Sequence, residues 1–159
     1  VSRLSAELYC KWLSAQTGRT YRLPTPAEWD RAFELGGGDL DATSDSETLL
    51  KSAWFDENGL STDEEGFDHE RAMPVGQLAP NDLGIHDMLG NAAEWVGGTG
   101  EERVVRGGHF KLSADELKGS HREVEDQNIW NKNNPQIPIG IWWYVDADYV
   151  GFRVVCEAK

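Results

Sequence analysis

Residues 103–117, RVVRGGHFKLSADEL, carry a β-branched run up to two glycines, where backbone stripped of side chains can approach a ligand closely. Chemistry is expected next. Gly107 and Gly108 lead instead into His109, Phe110, Lys111 and Leu112, with no cysteine and no adjacent acid. With His86 and His121, His109 could complete a three-imidazole site for copper, iron or zinc, although spacings of 23 and 12 residues match no local metal motif. Cys10 and Cys156 lie near opposite ends of the chain and cannot make a CxxC site. They are either buried thiols or one disulfide, which would need an oxidising compartment.

Two further stretches have suggestive composition. The segment NIWNKNNPQIPIGIWWYVDADYVGFRVV is dense in Trp, Tyr, Asn and Pro, and its Trp130, Trp142, Trp143 and Tyr144 suit a rigid aromatic recognition surface. The plainer alternative is core packing, with one of the adjacent tryptophans inward and the other outward. Asp56, Asn58, Asp63 and Glu65 could supply a cation site, but no EF-hand order of ligands is present and a solvated acidic surface is the favoured reading. Arg122 and Arg153 are expected to be buried partners of carboxylates.

The 159 residues fit one domain, 1–159, and seven tryptophans make its core aromatic. Acids outnumber bases 28 to 15, a formal charge of −13, so phosphate backbones and anionic membranes are repelled. Nucleic acid is not an expected partner. No apolar run approaches the roughly 20 residues of a membrane span, and the chain opens into an amphipathic pattern without a charged leader. A soluble chain is expected, with secreted or periplasmic bacterial placement left open.

The elements that must position these groups are set by caps and periodicity. Ser2 caps a helix whose Leu4, Leu8, Trp12 and Leu13 form its apolar stripe, ending near Gly18. Thr25, Pro26 and Glu28 supply a capping box for a second helix with Trp29, Ala32 and Phe33 inward, ended by Gly36 and Gly37. From Asp39 to Glu70 the pattern dissolves into an irregular excursion tied down at Trp54 and Phe55. MPVGQL, RVVRGG and YVGFRVV read as short strands, and PNDLGIHDMLGNAAEW as a loop. Helices first and short strands after argue an α+β fold.

The ordered stretches YCKWLSAQTGRTYRLPTPAEWDRA, AWFDEN, PVGQLAPNDLGIHDMLGNAAEW, RVVRGG and VGFRVV cover most of the chain. Together they resemble the formylglycine-generating enzyme, or sulfatase-modifying factor, family. The resemblance implies a C-type-lectin-like fold, two helices on a small twisted antiparallel sheet with much irregular structure. Family domains carry further chain ahead of the segment matching VSRLSAELYC, so it also implies the C-terminal portion of a larger domain.

In catalytic members the Gly-Gly loop leads to a serine and two cysteines that hold copper and oxidise a sulfatase cysteine to formylglycine. Counting on from Gly108, the serine position is His109 and the cysteine positions are Leu112 and Leu117. Leucine cannot replace a thiolate for Cu(I), so copper is not expected and the loop reads as vestigial. The two leucines read as core.

GNAAEW resembles the family's structural calcium segment, which makes Asn91 and Glu94 calcium candidates. The alternative is that Asn91 caps a turn and Glu94 pairs with an arginine such as Arg106. Some secreted relatives place a helix-to-strand disulfide near Cys10 and Cys156. A noncatalytic binding or regulatory module is expected, with a protein, carbohydrate or other small-molecule ligand and further domains as partners. An enzyme of altered chemistry at His109 and a diversified ligand-binding lectin-like protein are the alternatives.

Overall fold

The computed structural model describes residues 1–39, 45–66, 68–98, 103–130 and 147–158. Helix α1 (Arg3–Thr17) starts where Ser2 Oγ accepts the Ser5 N–H at 3.2 Å, and ends at Gly18, whose φ of +66° turns its N–H onto the Ser14 carbonyl. The caps agree with the sequence, but the face does not. Leu4, Leu8 and Trp12 are 36, 40 and 55% exposed, while Ala6 and Cys10 are the residues buried. Small side chains on the inner face let the helix approach the sheet, and Leu23, Trp95, Val105, Trp130 and Val150 fill the space beyond them. Tyr9 stays half outside, its ring 5.5 Å from Trp12 and 5.4 Å from Phe152.

Strand β1 (Tyr21–Arg22) pairs antiparallel with the last strand, β8 (Val155–Cys156), so that Tyr21 opposes Cys156. Cys10 and Cys156 are both free thiols, and the disulfide alternative is not realised. Cys10 faces the central cluster, where burial and then the Glu7 charge push its thiol up. Cys156 Sγ points at the Glu157 carbonyl, 3.8 Å away.

Helix α2 (Pro26–Leu35) carries the capping box in full. Thr25 Oγ1 accepts the Glu28 N–H at 3.2 Å, and Glu28 Oε2 accepts the Thr25 N–H at 2.8 Å. Arg22 grips both Glu28 oxygens, at 2.6 and 2.7 Å, and with the Thr25 backbone bond it holds that carboxyl down at about 2. Beyond the cap, Trp29 and Phe33 stack with centroids 5.7 Å apart and pack on Met88 and Val96.

The stretch expected to be irregular holds regular structure. Asp45 caps helix α3 (Ser46–Ser52), which buries Leu49, and β2 (Leu60–Thr62) pairs with β3 (Asp68–Glu70) as a small hairpin. MPVGQL is not a strand, whereas Ala93–Trp95, inside the expected loop, is β4. The main sheet runs β6 (Arg122–Val124), β5 (Val104–Arg106), β4, β7 (Val150–Gly151). It is mixed rather than antiparallel, because β7 lies parallel to β4, with Ala93 opposite Val150. A single helical turn, α4 (Gln127–Trp130), comes after β6.

Thr25→Ala should remove one half of the capping box and lower stability by about 1 kcal/mol. Leu8→Ala, on the outward face of α1, should stay within about 0.5 kcal/mol despite its size. Urea unfolding of both variants checks the pair, and a costlier Leu8 substitution would refute the assigned helix face.

Candidate functional site

One carboxylate ties the elements of the site together. Glu94, buried on β4, accepts the indole N–H of Trp29 on α2 at 2.9 Å and a two-pronged grip from Arg153, whose Nη2 lies 2.6 Å from Oε1 and whose Nε reaches Oε2. Arg153 Nη2 also donates to the carbonyls of His86 and Asp87, at 3.2 and 2.9 Å. Beside it, Asn91 takes a left-handed φ of +56°, accepts the Met73 N–H at 2.8 Å and donates to the Met73 carbonyl at 3.1 Å.

Asn91 and Glu94 therefore bond to protein donors, and calcium would have to displace Arg153 from Glu94. Of the alternative expected from the sequence, the arginine pairing of Glu94 is present with a different partner, while Asn91 holds the Met73 backbone 18 residues away and does not cap a local turn. Glu94 pairs with Arg153, while Arg106 of β5 pairs with Asp30 and donates to the Ser120 and His121 carbonyls. Arg122, expected to be buried, is exposed on β6.

The glycine pair is positioned by close packing. Gly107 and Gly108 have φ of +89° and +69°. A methyl group on Gly107 would sit 2.9 Å from the Met88 carbonyl oxygen, and one on Gly108 would sit 2.6 Å from Leu117 Cδ1 and 3.0 Å from Leu112 Cδ1. The backbone here approaches the protein's own core. Leu117 is fully buried against Leu49, Ala53 and Phe55, and Leu112 packs at the edge of that cluster. The donor set at this loop does not fit Cu(I).

His109 is buried beside the leucines and faces a carboxylate that the sequence does not single out. Its Nε2 lies 3.2 Å from Glu123 Oε1, as does His121 Nε2. Tyr149 covers the His109 ring with centroids 4.0 Å apart and donates its hydroxyl to Glu123 Oε2 at 3.4 Å. Burial pushes the Glu123 carboxyl up, but the two imidazoles outweigh it and hold the group at about 2. Tyr149 is raised to about 12, by burial first and then by Glu123. The available signal for Glu123 is its spacing from His121, since strand residues two apart share a face.

Other expected groupings do not form. His86 Nδ1 bonds the Leu78 carbonyl at 2.8 Å instead of joining the other two imidazoles. Among the described residues, no set of three or more His, Cys, Asp or Glu is placed to hold a metal ion. Asn58 caps a turn through Phe55 and Ala53, Asp63 bonds His69, and Asp56 and Glu65 are exposed. Trp130, expected on a recognition surface, is buried between Trp95 and Tyr149, with ring centroids 5.4 and 6.0 Å away. Trp142, Trp143 and Tyr144 lie outside the described residues.

Glu94→Gln should leave the Arg153 guanidinium without a counter-ion and cost on the order of 3 kcal/mol. Calcium and magnesium should then shift the parent's thermal melt equally, and a calcium-selective rise lost in Glu94→Gln would restore the ion site. Glu123, depressed in the folded state, contributes stability that is present above the ordinary carboxyl value of 4.5 and is lost as pH falls through about 2. Urea titrations at a series of acid pH values should show Glu123→Gln losing less stability than the parent across that window.

Comparison with known proteins bears on the family and the fold. A Paenibacillus barcinonensis protein named chaperone protein LppX is 37% identical over 84 residues, 47% of this chain and 30% of the relative. Serine/threonine-protein kinase pkn1 of Chlamydia pneumoniae is 27% identical over 156 residues, 85% of this chain and 21% of the kinase. The chain thus spans under a third of the length of either. Among solved structures, Treponema denticola variable protein 1 is 27% identical with a TM-score of 0.59, covering 88% of this chain and 49% of its own. PvdO from Pseudomonas aeruginosa (21% identity, TM-score 0.69, 99% and 60% covered) and CarF (20%, 0.61, 100% and 66%) share the fold. The family profile described as sulfatase-modifying factor enzyme 1-like domain matches residues 1–158, and this chain belongs to that family.

Proposed function

We propose that the domain is a noncatalytic binding or regulatory module within a larger protein. The observation that carries this reading is Leu112 and Leu117, both beside Gly108 where the family's copper chemistry calls for two thiolates. A retained fold does not by itself retain an activity. Two further observations favour a module. The kinase pkn1 of Chlamydia pneumoniae matches along only 21% of its length, and α1 presents Leu4, Leu8 and Trp12 outward as a stripe suited to contact with other protein.

The ligand-facing part of the module is taken to be the rim of the Gly107–Lys111 loop, where Lys111 bonds Asp148 at 2.6 Å and lies over the Phe110 and Tyr149 rings. A diversified ligand-binding protein is the second reading, favoured by the 27% identity to Treponema denticola variable protein 1. Sister copies that vary only within residues 128–150 would select it.

Incubated with a CxPxR peptide, copper and reductant, the protein should form no aldehyde above a copper-only control. The double variant Leu112→Cys/Leu117→Cys should bind one Cu(I) under reducing conditions, where the parent binds none. Aldehyde formed by the parent would overturn the noncatalytic reading. A double variant that folds but holds no Cu(I) would overturn the correspondence of the two leucines with the family's cysteines.

A further inference from the structure

His109 sits between two hydrogen bonds that fix where its proton lies. Its Nδ1 accepts the backbone N–H of Lys111 at 3.2 Å, so the neutral ring carries its proton on Nε2, facing Glu123 Oε1. His121 shares that oxygen, and Tyr149 closes the other face. The turn that Nδ1 holds is closed as well by the Leu112 N–H on the His109 carbonyl at 3.1 Å, and Lys111 Nζ lies 2.6 Å from Asp148. The titratable and charged groups around the ring are thus Glu123 and His121 beside and on β6, Asp148 and Tyr149 ahead of β7, Lys111 on its own loop, and Glu116, which senses both imidazoles. Arg122 is exposed, and Arg106 of β5 bonds the His121 carbonyl.

We propose that protonation of His109 is a local switch for this loop: a proton on Nδ1 turns an acceptor into a donor and breaks its bond to the Lys111 amide, one of the two hydrogen bonds that close the 109–112 turn. The imidazolium would have reason to stay in place. Glu123 remains ionised and attracts it, and the Tyr149 ring stabilises a cation over its face. Two N–H groups then oppose each other at the Lys111 end, and that is the side that yields. The proton comes from solvent, and no other reactant is involved. The switch goes beyond the binding-module reading and does not need it, because the test reads the turn and no ligand.

The experiment is an NMR titration of the whole chain between about pH 5 and 8, the range in which imidazole changes charge. The Lys111 amide shift should track the His109 ring protons with one midpoint, and the amide's protection from hydrogen exchange should fall through it. Glu123→Gln removes the neighbouring anion and should displace the ring and amide midpoints together. His109→Asn places an oxygen where Nδ1 stood and should abolish the transition, while His121→Asn should retain it. A Lys111 amide that ignores the His109 titration overturns the proposal, as does a transition that survives His109→Asn or disappears with His121. If His109→Asn does not fold, the coincidence of midpoints in the parent and their joint displacement in Glu123→Gln decide the matter.

Discussion

The arrangement depends on a carboxylate that has been taken out of water. Glu94 reaches its buried position on β4 only because Arg153 arrives from the far end of the chain and Trp29 from α2. A buried ion pair is weak as a source of net stability, since desolvation offsets much of the attraction, but it is exacting about geometry. Arg153 uses the same guanidinium to hold the backbone at His86 and Asp87, and Asp87 takes a left-handed φ of +54° there. The ion pair thus locks the second helix, the central strand, the 86–91 segment and the C-terminal strands into one relative placement.

Within this arrangement the glycine loop takes a different meaning from the one its composition suggests. Gly107 and Gly108 are needed because the Met88 carbonyl and the two leucines leave no room for a Cβ. The same backbone conformation that serves a reactive centre when thiols face it serves packing when leucines do. Next to the glycines the polar groups are His109, His121, Glu123 and Tyr149, which bond or stack with one another.

Features written in adjacent residues are the legible ones. Ser2, Thr25 and Glu28 announce their caps because cap and partner lie three residues apart. The inward face of α1 escapes such a reading because periodicity locates a stripe of large apolar residues, whereas close packing here uses Ala6 and Cys10 and leaves Leu4, Leu8 and Trp12 outside. Glu94 stands out in its motif, but the choice between Arg106 and Arg153 depends on sheet order, which spacing along the chain does not encode. Strands of two or three residues such as β4 and β7 are too short to show alternation, so their pairing is hidden for the same reason.

That pairing has a consequence for how the chain reaches its native state. β4 has its antiparallel neighbour β5 close at hand, yet its other edge is completed by Val150 and Gly151, and β1 is completed by Val155 and Cys156. Closing such long loops is entropically unfavourable before any contact rewards it, which slows folding. During synthesis, therefore, nearly the whole chain must leave the ribosome while the middle strand of its sheet still has a bare edge. Until Val150 and Gly151 arrive, that edge is open to pairing with a strand of another chain.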